Sequence, residues 1–213
     1  MGCAGLAMLI SATPSATADS PAARVTGSNI DSVLLSGDTV GDILGTNMPV
    51  QQKAKRPMPA TQLDKNPECS VLFGPDIKFY GSNLNLYRIS VLEDDQDQPD
   101  YVVIQTVATF PDSQTAQSVL TNGMQSTSDC NQTVQIRDLD SKPTWQLSAP
   151  KVSAGDAKWH MAQLYQGDPV GWNCYFNLRA AANTILQAQI CQMGNAGPAV
   201  GQLMDQMVGG LPS

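Results

Sequence analysis

Hydrophobic spacing is most regular at residues 116–124, where Ala116, Val119, Leu120, Gly123 and Met124 recur at helical intervals behind the capping pair Asp112-Ser113. This predicts the main helix of the chain, with Cys130 delivered at its downstream end. A second stripe, Val200, Leu203, Met204 and Met207, follows Gly197-Pro198 and predicts a closing helix. Near the start, Ser28 to Asp31 can cap a short helix through Val33 to Leu35. Ser36 can cap another through Val40, Ile43 and Leu44, ended by Gly45.

Strand patterns alternate with these. Tyr87, Ile89 and Val91 are separated by Arg88 and Ser90, the period of a half-buried strand, and the acidic run 93–97 then reads as a hairpin loop. Residues 101–110 are apolar on both faces and read as a central strand. Residues 132–137, 158–165 and a hairpin over 172–191 supply further strands, with the turn at Ala182-Asn183 and Asn183 expected to take the positive φ. Residues 46–67, with four prolines, read as a loop, and residues 68–73 as one helical turn. The order predicts an α/β (α+β) single domain, a largely antiparallel central sheet flanked by helices, over residues 29–213.

Cysteine placement sharpens the picture. Cys69, Cys130, Cys174 and Cys191 form an even set within the folded part, which argues for an oxidising compartment and an exported protein. A hairpin turning at 182–183 puts Cys174 opposite Cys191, and opposed antiparallel residues approach within about 4.5–5.5 Å, inside the reach of a disulfide. A bridge from Cys130 to Cys69 would staple the main helix to the 68–73 turn.

Residues 1–28 read as an export segment and flexible lead-in. Residues 3–12 are nearly all apolar, and Ala16-Thr17-Ala18 before Asp19 is an A-x-A cleavage pattern, although the usual positively charged leader is missing. Cleavage after Ala18 is the favoured reading. The alternative is that Gly2-Cys3 closes a lipobox and Cys3 carries a lipid anchor. Both place the folded part outside the cytoplasm, secreted or envelope-associated.

Charge and chemistry mainly exclude. The net charge is -7, with 12 Lys and Arg against 19 Asp and Glu, and the short run Lys53 to Arg56 reads as a solvated loop, so no nucleic-acid partner is expected. No apolar run reaches the roughly 20 residues of a membrane span. The single histidine, His160, and the absence of G-x-S-x-G argue against a serine triad. One histidine with bridged cysteines does not make a zinc site, the acidic run lacks the glycine and distal glutamate of a calcium loop, and no phosphate-loop motif occurs, so neither metal nor cofactor is expected. A carboxylate pair for glycoside hydrolysis depends on the fold and stays open. Trp159, Tyr165, Trp172 and Tyr175 cluster in the last third; the core claims most such residues, but Trp159, His160, Tyr165 and Trp172 are the candidate ligand contacts.

Several landmarks carry a family resemblance: the opening LLSGDTVGDILG, Pro67-Glu68-Cys69, Thr109 to Ser113 before the main helix, Cys130, Trp172-Asn173-Cys174, Asn183 and Cys191. Their order over roughly residues 29–210 resembles the extracellular sensor domain of mycobacterial serine/threonine kinases of the PknH type, a family that also occurs as free-standing secreted proteins and lipoproteins. The resemblance implies the pairings 69–130 and 174–191, an α/β sheet with helices, and a deep cleft for an unassigned ligand. It points to a non-catalytic, monomeric sensor of the cell envelope binding a small molecule or cell-wall component. A protein-docking or structural envelope protein without a small-molecule ligand is the alternative.

Overall fold

A nine-stranded, wholly antiparallel sheet organises the chain; the computed structural model describes residues 24–137 and 143–212, so Cys3 and the export pattern lie outside the described residues. The strands are β1 (Val50–Ala54), β2 (Leu86–Glu93), β3 (Tyr101–Thr109), β4 (Thr133–Gln135), β5 (Thr144–Leu147), β6 (Lys151–Ser153), β7 (Asp156–Tyr165), β8 (Asp168–Ala181) and β9 (Thr184–Met193). Their spatial order is β1-β2-β3-β9-β8-β7-β5-β4, with β6 paired to β7. The helices are α1 (Gly37–Leu44), α2 (Ile77–Tyr80), α3 (Ser113–Gln125) and α4 (Gly197–Gly209), with 3-10 segments at Ile30–Val33, Pro67–Phe73 and Gly81–Asn83.

Both faces of the sheet bury apolar side chains, which is why β3 and β9 carry apolar residues on both faces, with a few buried polar ones among them. On one face Leu72, Tyr80, Phe110, Leu120, Met124, Trp159 and Phe176 form a core under α2, α3 and the 67–73 segment. On the other, Ile30, Val33, Leu92, Leu186, Leu203 and Met204 pack under α1 and α4. The helix stripes do what their spacing predicts: Ala116, Leu120 and Met124 of α3, and Val200, Leu203, Met204 and Met207 of α4, are buried. Ser36 caps α1 through Thr39 N, Gly45 ends it at φ 72, and Asp112 caps α3 through Thr115 N.

Two disulfides hold the fold. Cys69 joins Cys130, and Cys174 joins Cys191 directly across the β8–β9 register. On the loop-entropy model, sequence separations of 61 and 17 correspond to roughly 4 and 3 kcal/mol of stabilisation.

Three details differ from the sequence reading. The left-handed residue of the β8–β9 turn is Ala182 (φ 49), not Asn183. Asn183 is spent on its side chain: Oδ1 accepts from Val25 N (2.8 Å) and Nδ2 donates to Val25 O and Phe110 O (both 3.1 Å), tying the N-terminal segment to the sheet. Residues 46–67 contain β1, whose side chains are mostly exposed and so give no apolar alternation. β5 and β6 are likewise too short for periodicity to reveal.

Candidate functional site

The segment between β1 and the 67–73 helix is a strap, residues 55–64, stiffened by Pro57 and Pro59. It leaves an outer strand at one sheet edge and is pinned near the other. Leu63 bridges Ile136, Asp64 N donates to Gln135 O (3.0 Å), and Arg137 N donates to Gln62 O (2.7 Å). The Arg137 guanidinium adds a bond to Leu63 O (3.3 Å) and an exposed ion pair with Asp64 (3.6 Å).

Between strap and α3 lies a groove of about 720 Å³. Thr61, Asp64 and Glu68 form one wall, Lys78 to Tyr80 the floor, and Asn122, Gly123 and Ser126 of α3 the other wall. The 67–73 segment is held against α3 by the Cys69–Cys130 bridge, and Asp76 caps α2 through Lys78 N and Phe79 N (both 2.9 Å). Phe79 packs so closely on α3 that a Cβ at Gly123 would overlap its ring. A hollow of about 850 Å³ at α1 is larger, but it is lined only by α1 and the loop that follows it, within residues 37–49, with no aromatic wall.

Under the strap a second, smaller cavity of about 70 Å³ reaches the sheet. Met58, Pro59 and Thr61 roof it, Phe73 to Pro75 close one side, and Tyr87, Thr106, Gln187 and Gln189 rise from β2, β3 and β9. None of its lining side chains is charged. Gln187 Nε2 donates to Gln189 Oε1 (3.2 Å), and Gln189 Nε2 to Cys191 Sγ (3.4 Å). The Tyr80, Tyr87 and Thr106 hydroxyls lie close enough together to influence the ionisation of the two phenols, yet the Tyr80 hydroxyl and Thr106 Oγ1 meet no partner at hydrogen-bonding geometry. Burial first, and then the neighbouring Tyr87 phenol, hold the Tyr80 proton well above the usual phenol range. Burial raises Tyr87 too, partly offset by the Thr106 and Tyr80 hydroxyls. Both phenols are therefore neutral donors at ordinary pH. Buried polar groups without partners are rare, and a sheet centre carrying several is costly unless something uses them.

The aromatic candidates from the sequence do not converge here. Trp159 is buried, stacked on Phe176 (ring centroids 4.8 Å), with Nε1 donating to Leu72 O (2.8 Å). His160, next along β7, points to the opposite face, is exposed, and stacks on Tyr175 at 5.5 Å. Tyr165 is 68% exposed at the far end of β7, and Trp172 is half-buried against the core. The groove and cavity draw instead on the strap, α2, α3 and the middle strands. Among the described residues no group of three His, Cys, Asp or Glu could hold a metal ion, and no helix is long and apolar enough to cross a membrane.

Residues 25–209 match the model of a family described as the PknH-like extracellular domain. The chain belongs to the PknH-like extracellular domain family. Its fold is similar to the crystal structure of the extracellular domain of PknH from Mycobacterium tuberculosis, with TM-score 0.77 and 17% identity over 87% of this chain and 96% of that one. At that identity the likeness is one of fold. A putative uncharacterized protein from Mycobacterium smegmatis is far weaker, with TM-score 0.38 and 6% identity over 83% of this chain and 96% of that one. No curated protein sequence matches the chain. As a PknH-like extracellular domain with two disulfides, the folded part is extracytoplasmic.

Proposed function

We propose that this PknH-like domain is a non-catalytic sensor of the cell envelope that binds a small, largely neutral polar ligand in the cleft beneath the 55–64 strap. The carrying observation is the set of buried hydroxyls and amides on α2, β2, β3 and β9, in which Tyr80 of α2 and Thr106 of β3 lack partners while a groove opens beside them. A ligand in the groove, where Tyr80 lies, with a hydroxyl or amide reaching the inner cavity, where Thr106 lies, would satisfy them, and burial makes each such bond more decisive for affinity than a surface one. Specificity would follow from the same source, since an analogue lacking the polar group leaves buried partners unpaired. The Asp64, Glu68, Lys78 and Arg137 side chains at the groove mouth carry both signs and would steer orientation more than net charge.

Mass spectrometry of small molecules copurified with the exported protein tests this reading. Wild type should carry a compound that Asn122→Trp, which fills the groove from the exposed side of α3, does not. Identical profiles for the two proteins would remove the cleft as the binding site. They would favour the alternative of an envelope protein-interaction module.

A further inference from the structure

A second groove lies on the other side of the strap, and its chemistry is unlike that of the cleft. Register between β1 and β2 stops at Ala54 opposite Ile89, so Leu86, Tyr87 and Arg88 have no β1 neighbour. Along this open edge runs a groove of about 680 Å³, within the size range of small-molecule sites. Three of the chain's 12 Lys and Arg residues, Lys55, Arg56 and Arg88, line it, and none of its 19 Asp and Glu does. For a chain of net charge -7 this is a local reversal of sign.

Of the three cations, Arg88 is paired through Nε with Asp31 at 2.8 Å. Lys55 and Arg56 are exposed and form no ion pair with the described residues. Beside these cations the groove is oily. Ile77 is 54% exposed at the start of α2, and Leu84 and Leu86 are half-buried. An open strand edge could recruit an extended peptide, but Arg88 Nη1 donates to Tyr87 O (2.9 Å) and blocks the edge carbonyl, a familiar defence against strand addition.

We infer that this groove binds one anionic amphiphile, its acid or phosphate headgroup at Lys55, Arg56 and Arg88 and its hydrocarbon chain along Ile77, Leu84 and Leu86. Guanidinium and ammonium groups supply charge-assisted bonds to the head, and apolar walls reward each methylene removed from water. The site also sits where the chain enters the fold. Leu86, Thr109 and Thr184 share one row across β2, β3 and β9, and Val25 is bonded to Asn183 beside that row. Val25, near the start of the described residues, therefore lies at the end of the sheet that carries the groove.

The test is calorimetric titration of the full chain with monomeric dodecyl phosphate, with inorganic phosphate, dodecyl maltoside and a hexaglutamate peptide as comparison probes. Dodecyl phosphate should bind to wild type, and about tenfold or more weakly to Lys55→Glu/Arg56→Glu, whose exposed positions spare the fold. Ile77→Asp should weaken it similarly, and each methylene removed from the probe should cost up to about fourfold. Binding by the apolar N-terminal residues would be equal in wild type and variants, so the difference reports the groove. Asn122→Trp should leave dodecyl phosphate affinity unchanged, which separates this site from the cleft. Equal affinity in the charge-reversed variant, equal binding of dodecyl maltoside, full binding by inorganic phosphate alone, or preference for hexaglutamate would each overturn the inference.

Discussion

Thr106→Val removes one buried hydroxyl and nothing else of comparable size. Thr106 is 1% exposed at the middle of β3, and its Oγ1 has no hydrogen-bond partner. A buried hydroxyl left unpaired costs roughly 1–3 kcal/mol, and its removal with shape retained refunds part of that. Valine also suits a central strand at least as well as threonine. The variant should therefore be more stable than wild type by about 1 kcal/mol, which for a domain of this length raises Tm by roughly 2–4 °C. Urea unfolding followed by circular dichroism should show a higher midpoint with an unchanged slope. Ligand capture should fall, because the group placed to meet the ligand is gone. Tyr80→Phe should behave alike, and a double-mutant cycle should show coupling, since the two hydroxyls are neighbours. A Thr106→Val protein destabilised by 1 kcal/mol or more would refute the reasoning, for it would mean that the hydroxyl is satisfied within the folded chain.

Gly123→Ala sets a helix-propensity gain of about 1 kcal/mol against an overlap with the Phe79 ring, where overpacking costs roughly 1–3 kcal/mol. Thermal melts should show net destabilisation, relieved when Phe79→Leu is added. Cys174→Ala/Cys191→Ala should lower unfolding free energy by about 3 kcal/mol in urea titrations, with β8 and β9 retained, and Cys69→Ala/Cys130→Ala by about 4 kcal/mol. Tyr80 and Tyr87 hold their protons more tightly when folded than the unfolded phenol value of about 10, so their stabilisation is complete below that pH and is lost as pH rises above it. Absorbance titration should show two phenols ionising only together with loss of the native near-ultraviolet signal.

Periodicity is enough to read α3 and α4, which bury regular stripes against the sheet, and β2, whose apolar and polar residues alternate, whereas β3 is legible from being apolar on both faces. Opposed positions on β8 and β9 made the Cys174–Cys191 bridge geometrically readable. β1 escaped because an edge strand with exposed Gln51 to Ala54 has no burial pattern to display. The cleft escaped for a different reason. Its wall residues come from positions far apart in the chain, and Tyr80 looks locally like another core aromatic. One signal was present: Gln187 and Gln189 alternate with Leu186, Ala188 and Ile190 on a strand buried on both faces, where amides are expensive without a purpose. The aromatic candidates do not form one surface, because neighbours on one strand point to opposite faces, as Trp159 and His160 do.

Hydrogen–deuterium exchange in the presence and absence of fractionated envelope extract locates the ligand on the fold without knowing its identity. If the cleft beneath the strap is where this domain senses its surroundings, amides of residues 60–83 and 119–126 gain protection and those of β7 around His160 do not. Protection confined to the exposed His160 and Tyr175 face, with the strap unchanged, would contradict it.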